Sequence, residues 1–419
     1  MTKKIGLGAM VLLILLTALG GYLRYVKTDW NKDILYSKTE YRLAGDEYGY
    51  DKSVRVLLEK GYYGFTPFST PEGPNAFTTP GYTLFLAGIY TVFGYGEDPP
   101  LVAIQAIQNL LSLCTGFIFF WIAWRLFNNR FISCLIFFFC MIHPGFIYLS
   151  SYLFTETLYL FLLSAFALVM ILHFQKGGGH EFLMGLLFGC TLLVRPVLFP
   201  FFLLLLGFML LQKRKKKLSW RPILLLAGGL LLIMGPWWIR NLVTMGKMVI
   251  LAEQAGNPLL WGSFPYNDNA DVDPAIPPDE LGKLAWQRIF QGFTQEFWLY
   301  LEWYTIGKAE YLINTVYTGF LHVTSAAEDL FYKNLAMAGG AGLVVSLLWN
   351  RKKKEFLWVL LLGLTGFVLY LPFAPTTRYF YAIVPFTFLG IACFVQLLVY
   401  IARGLVKKKI RKQQAGTGM

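Results

Sequence analysis

Ten apolar runs, at 5–24, 101–125, 131–149, 155–174, 182–196, 197–212, 221–239, 333–349, 356–372 and 379–402, restrict what this chain can fold into more than any other feature. A hydrocarbon layer about 30 Å thick takes roughly 20 apolar residues of helix to cross, and most of these runs approach that length. Inside such a layer every backbone N–H and C=O must be paired by the chain itself, which a helix does locally. The composition agrees, because 56% hydrophobic and 15% charged residues are too apolar a balance for a soluble domain. The spacing predicts an all-α polytopic membrane protein of about ten transmembrane helices.

Charge sets the expected orientation. The net charge of +13 is concentrated in clusters at Lys213 to Lys217, Arg351 to Lys354 and Lys407 to Lys412, each between or after apolar runs. Such clusters mark cytoplasmic loops, and no basic folded domain is left over for nucleic acid. With Lys3 and Lys4 inside, the run from Ile5 to about Leu23 is expected to be an uncleaved anchor. Residues 25–100 then form a first outer loop and 240–330 a second, with both termini cytoplasmic. A further apolar stretch at 81–95 is assigned to a surface or re-entrant helix, because a crossing there would turn every later basic cluster outward. Eight of the 24 Asp and Glu lie in 25–80 and eleven in 240–330, so the acidic residues mark the same two loops. Residues 1–405 are expected to form a single membrane domain and 406–419 a basic cytoplasmic tail, with a bacterial plasma membrane as the expected setting.

Cys114, Cys134, Cys140, Cys190 and Cys393 all fall inside apolar runs without a CxxC pair, and the four histidines are scattered. They read as buried hydrophobes and isolated rings, not as a zinc site or a disulfide framework. The outer loops hold enough carboxylates to build an oxygen-ligand metal site, but no spacing calls for one.

Function is expected in the outer loops. In GDEYGYDKSVRVLLEKGYYG, from Gly45, Tyr50, Val54, Leu57 and Leu58 recur on one helical face, with Asp51, Lys52, Arg55 and Glu59 mostly elsewhere and Gly61 as a stop. That is an interfacial helix. Asp46 and Glu47 stand at its start, where a negative charge is favoured by the helix dipole, so Asp46 as a helix cap is one reading of the pair. Glu156, Arg195, Arg240 and Arg378 fall at span ends, and the span count puts all four on the side of Asp46. Ionisable groups there are costly and default to functional candidates. Three arginines exceed what Glu156 can neutralise, and a phosphate is the natural remaining partner of guanidinium groups. Trp237, Trp238, Trp261, Tyr148 and Tyr152 are expected near the same boundary, as interface anchors or sugar platforms.

Further segments carry a resemblance. PGYTLFLAGIYTVFG, LFTETLYLFLL, GCTLLVRP, GPWWIRN, the GNPLLWG loop and TTRYFYAIVPF follow one another in order over most of residues 1–400. Together they resemble membrane-embedded glycosyltransferases of the GT-C fold, among them the protein O-mannosyltransferase and aminoarabinose transferase families and their RgtA/B/C/D-like bacterial relatives. The resemblance implies a catalytic carboxylate in the first outer loop, at Asp46 or its neighbour Glu47. It implies inverting transfer of a hexosyl or pentosyl group from a polyprenyl-phosphate donor to a lipid, glycan or protein acceptor. Glu156, Arg195, Arg240, Arg378, Tyr379 and Trp261 are then the candidates for substrate contact. The competing readings are a lipid or sugar transporter, which usually shows internal repeats that this chain lacks, and a non-catalytic assembly scaffold that would not need Asp46.

Overall fold

The structure is a computed structural model that describes residues 6–28, 30, 36–37, 40–41, 46–65, 73–96, 98–215, 219–267, 276, 278–316, 324–349 and 353–416. Lys3, Lys4, Lys216, Lys217, Arg351, Lys352 and the acidic stretch at 268–275 lie outside the described residues, as do the side chains of the basic tail. Apart from a two-residue antiparallel ladder, Tyr36–Ser37 with Glu40–Tyr41, the regular structure among the described residues is helical.

Among the described residues six helices are long and apolar enough to cross a membrane: α1 (Leu7–Lys27), α4 (Leu101–Phe127), α7 (Glu156–Lys176), α9 (Phe199–Arg214, with the preceding turn from Pro196), α10 (Trp220–Met245) and the apolar part of α18 (Val384–Gly416). A seventh crossing is made if α5 (Arg130–Ile142) and α6 (Pro144–Tyr148), with the turn that follows, count as one span bent by 57°. The other three expected runs are helical as well: α8 (Glu181–Val194), α15 (Ala326–Trp349) and α16 (Lys354–Tyr370). Of these α8 has only 14 residues, about 21 Å of helix, which falls short of a hydrocarbon layer. The stretch at 81–95 forms α3 (Gly81–Phe93), 13 residues long and shorter still.

The bend between α5 and α6 has a local cause. Pro144 disfavours helical backbone at His143, which is extended at φ −63° and ψ 123°, and His143 Nδ1 accepts the Gly145 amide at 3.1 Å as the cap of α6. The carbonyls freed at the end of α5 are taken by Arg24 of α1. Its guanidinium is fully buried and donates to the Cys140 and Met141 carbonyls and to Ser112 Oγ. A break at membrane depth is tolerable because its polar groups are satisfied from a neighbouring helix.

Close helix approaches are made where side chains are absent. A Cβ on Gly390 of α18 would run into the Gly339 carbonyl of α15, and one on Gly185 of α8 into the Leu226 carbonyl of α10. Between spans, where lipid is as apolar as leucine, such van der Waals contact is the main attraction. Gly390→Ala is therefore expected to lower the unfolding temperature in detergent. Gly340→Ala, one residue from Gly339 but facing open space, is expected to leave it unchanged or raise it slightly, as alanine favours helix.

The segments expected as outer loops are built against one another. The expected interfacial helix is α2 (Asp46–Lys60), ended by Gly61 at φ 71°. It does not lie with one side free. Asp51 is 2% exposed, accepting from Tyr90 of α3 at 2.6 Å and from Arg55, so the face expected to be polar is covered by α3. The second outer loop folds into α11 (Gly256–Gly262), α12 (Pro278–Gln295), α13 (Phe297–Glu302), a π-helical turn at Trp303–Gly307 and α14 (Lys308–Ile313). A small separate core of Leu259, Leu260, Phe264, Ala285 and Ile289 holds α11 against α12. Backbone hydrogen bonds from Glu253 to Ala76 and from Gln254 to Phe77, both 2.9 Å, join the two loops.

Candidate active site

Four charged side chains from four parts of the chain meet at one cleft. Asp46 is the first residue of α2 and Glu156 the first of α7. Arg195 sits in extended backbone between α8 and α9, its geometry set by the following Pro196. Arg378 belongs to α17 (Thr377–Phe380), a single turn that follows α16. Arg378 donates from Nη2 to Asp46 Oδ2 at 2.6 Å and from Nε to Glu156 Oε1 at 3.0 Å. Arg195 donates from Nη1 to the same Glu156 oxygen at 2.7 Å. The order along the cluster is thus Asp46, Arg378, Glu156, Arg195.

Aromatic rings fix the two guanidinium groups. Arg195 lies 5.0 Å from the Tyr379 ring centre and 5.9 Å from those of Tyr159 and Tyr370, and Tyr370 stacks on Tyr379. Arg378 lies 4.7 Å from the Phe154 ring. Cation–π attraction of this kind adds about 0.5–2 kcal/mol per pair and keeps an arginine from swinging away when its carboxylate is challenged. Burial alone would weaken the charge on Arg378, but the Glu156 and Asp46 carboxylates more than offset it and raise its pKa well above the ordinary value.

The cleft has an empty volume of about 1290 Å³, open mouth included. Among the described residues Asp46, Arg195 and Arg378 are the charged ones on its wall, and Val197, Phe199, Leu369 and Phe373 are among those making much of the rest apolar. Such a cavity can accept an amphiphile, an anionic head against the arginines and an apolar body along the remaining wall.

The other expected site residues lie elsewhere. The Glu47 carboxylate is buried and accepts the Leu153 amide at 2.9 Å, holding the segment that leads into Glu156. Arg240 donates to the Asn75 carbonyl at 2.8 Å and to the Tyr63 carbonyl, with its guanidinium near Tyr63 and Trp237. It binds the first outer loop to α10 and does not line the cleft. Trp261 is exposed on α11, also off the cleft wall. Tyr148, Tyr152 and Trp237 are buried in the protein, not placed as interface anchors. As for capping, the Asp46 side chain is directed to Arg378, not to the amides of its own helix.

Three features of the site had weak or no sequence signal. Tyr370 and Phe154 are ordinary aromatics in apolar runs. Lys308 is fully buried, 3.7 Å from the Tyr304 ring, and donates to the Pro372 carbonyl at 3.0 Å. Burial pulls its pKa down to about 6. Together with the Ala374 amide on the Pro258 carbonyl at 2.7 Å, it fastens the second outer loop to the strand of chain that delivers Arg378. Among the described residues no group of three or more His, Cys, Asp or Glu side chains converges as a metal site.

No protein-family model matches the chain, and no curated protein matches it in sequence. Solved structures match it in fold. The apo oligosaccharyltransferase of Archaeoglobus fulgidus superposes with a TM-score of 0.54 and 13% identity, over 96% of this chain and 52% of its own. The same values hold for that organism's AglB in complex with an inhibitory peptide and a dolichol-phosphate. ArnT from Cupriavidus metallidurans, bound to undecaprenyl phosphate, gives 0.52 and 15% identity over 91% of this chain and 59% of its own. The chain therefore spans little more than half the length of the structures it matches.

Proposed function

From the premise that this chain has the GT-C fold of membrane-embedded glycosyltransferases, we propose that it moves a sugar from a polyprenyl-phosphate donor to an acceptor hydroxyl. The observation that carries this reading is the cleft, apolar along most of its wall, with two arginines and a partly exposed carboxylate together at one place. Solved proteins of the same fold, bound to dolichol-phosphate and undecaprenyl phosphate, support the donor class.

In this reading the donor is a phosphodiester with one negative charge. The acceptor oxygen attacks the anomeric carbon and the bond from that carbon to the phosphate oxygen breaks, leaving its electron pair on the phosphate. Asp46 takes the acceptor proton as general base, a contribution of roughly 100- to 10,000-fold. Arg378 and Arg195 face the charge that grows on the departing phosphate, and because their positions are set beforehand by Glu156 and the rings, little reorganisation is needed during reaction. Tyr379 packs between them as a positioning residue. Glu47 and Arg240 have structural roles here, and inversion at the anomeric carbon follows from single displacement. A divalent cation does not fit this donor set, because the Arg378 guanidinium separates the two carboxylates. In this reading the site faces the outer side of the membrane, an orientation that the charge pattern of the loops supports, with lipid, glycan or protein as the acceptor.

Arg378→Lys tests the donor contact. An ammonium keeps the charge but loses the planar fork, so donor affinity is expected to fall by about tenfold, measured by titration with a polyprenyl-phosphate sugar in detergent. Unchanged affinity would return Arg378 to a purely structural ion pair.

A further inference from the structure

Asp46, to which the transfer reaction assigns the proton, is already engaged. Its Oδ2 accepts from Arg378 Nη2 at 2.6 Å, and Arg378 Nε is on Glu156 at 3.0 Å. The Nε–Nη2 edge of the guanidinium, a geometry that also holds phosphate side-on, is thus shared between two carboxylates. The four charges of the cluster cancel, so a phosphate that takes this edge must displace one of them.

Burial and connectivity decide which one. Glu156 is 2% exposed, stands in the first turn of α7 where a negative charge is favoured, and serves both arginines through one oxygen. Pulling it away would leave a buried charge uncompensated. Asp46 is 38% exposed, has one arginine partner and lines the cleft, so release returns it to the cleft's open space.

We infer that the donor phosphate binds by replacing Asp46 on Arg378, so that the base is freed only when the donor is in place. The inference rests on the phosphate-binding reading above and adds an order to it: donor first, acceptor second. Without donor, the carboxylate that would activate an acceptor hydroxyl stays tied to the cation. With donor, the same event fills the phosphate site and releases the base beside it.

The test is the affinity of the full-length protein in detergent for a polyprenyl monophosphate, read by calorimetric titration. A competing carboxylate weakens phosphate binding, so Asp46→Asn and Asp46→Ala are expected to tighten it, by roughly threefold to fivefold for a partly exposed charged contact. Glu47→Gln removes a charge one residue away that points to the Leu153 amide, and is expected to leave the affinity within about twofold. In an Arg378→Gln background, Asp46→Asn is expected to add nothing. Unchanged or weaker binding in both Asp46 variants, with the wild type binding normally, overturns the exchange and leaves the phosphate site standing. Equal tightening by Glu47→Gln overturns it too, because a diffuse field would then explain the gain. No binding by the wild type sinks the phosphate reading and this inference with it.

Discussion

Asp46→Asn is expected to lower turnover by about 100-fold or more while the protein stays folded and still binds donor. Asn has the shape of Asp but cannot accept a proton as a carboxylate does. The ion pair it gives up, to Arg378, is partly exposed, and contacts of that kind are worth about 0–1 kcal/mol. Asn is also as good as Asp at a helix start, so α2 should form normally. Glu47→Gln is the matched comparison. The Glu47 carboxylate is buried on the Leu153 amide, so that variant is expected to cost stability and to spare most of the turnover of the molecules that remain folded. Near-normal turnover in Asp46→Asn, with loss in Glu47→Gln, would exchange the two roles.

Glu156→Ala is expected to have the largest effect on stability. Its carboxylate is 2% exposed and is the common acceptor of Arg195 and Arg378, themselves 16% and 18% exposed. Removing it leaves two largely buried guanidinium groups facing each other. Breaking a buried pair in this way costs about 3–5 kcal/mol, and thermal unfolding in detergent should show a large fall in Tm. Removing one cation as well should recover part of the loss, so Glu156→Ala combined with Arg195→Met is expected to be more stable than Glu156→Ala alone. If the single variant unfolds at the wild-type temperature, Glu156 does not hold the arginines.

Much of the fold was legible because membrane spans announce themselves locally. The runs behind α1, α4, α7, α9, α10 and α18 are long and apolar enough for their lengths alone to identify them. Helix α8 was harder, because part of its surface lies against α10 and α3 through glycine contacts, and a helix covered by protein need not match the thickness of lipid. The polar face expected for α2 failed at Asp51 for a related reason. Helical spacing gives the faces of a helix but not which neighbour covers them, and Tyr90 of α3 covers this one.

The site was legible by side and not by contact. Counting spans from the basic clusters put Asp46, Glu156, Arg195 and Arg378 on a common face, and the structure has them within hydrogen-bond distance in series. The same count grouped Arg240 with them. Its partners are the carbonyls of Asn75 and Tyr63, and backbone acceptors leave no mark in a sequence. Lys308 and Tyr370 went unseen because what they do depends on the fold of the second outer loop and on a stacking partner nine residues away in the chain.

The most direct measurement is sugar transfer itself. Purified protein in detergent or liposomes is given a panel of labelled polyprenyl-phosphate hexoses and pentoses with membrane extract as acceptor, and the release of polyprenyl phosphate is followed, with the Asp46→Asn protein as the blank. The account predicts that the wild type consumes at least one donor at about 100 times the rate of the blank or faster. Equal consumption by the two proteins, or none by the wild type across the panel, would contradict it.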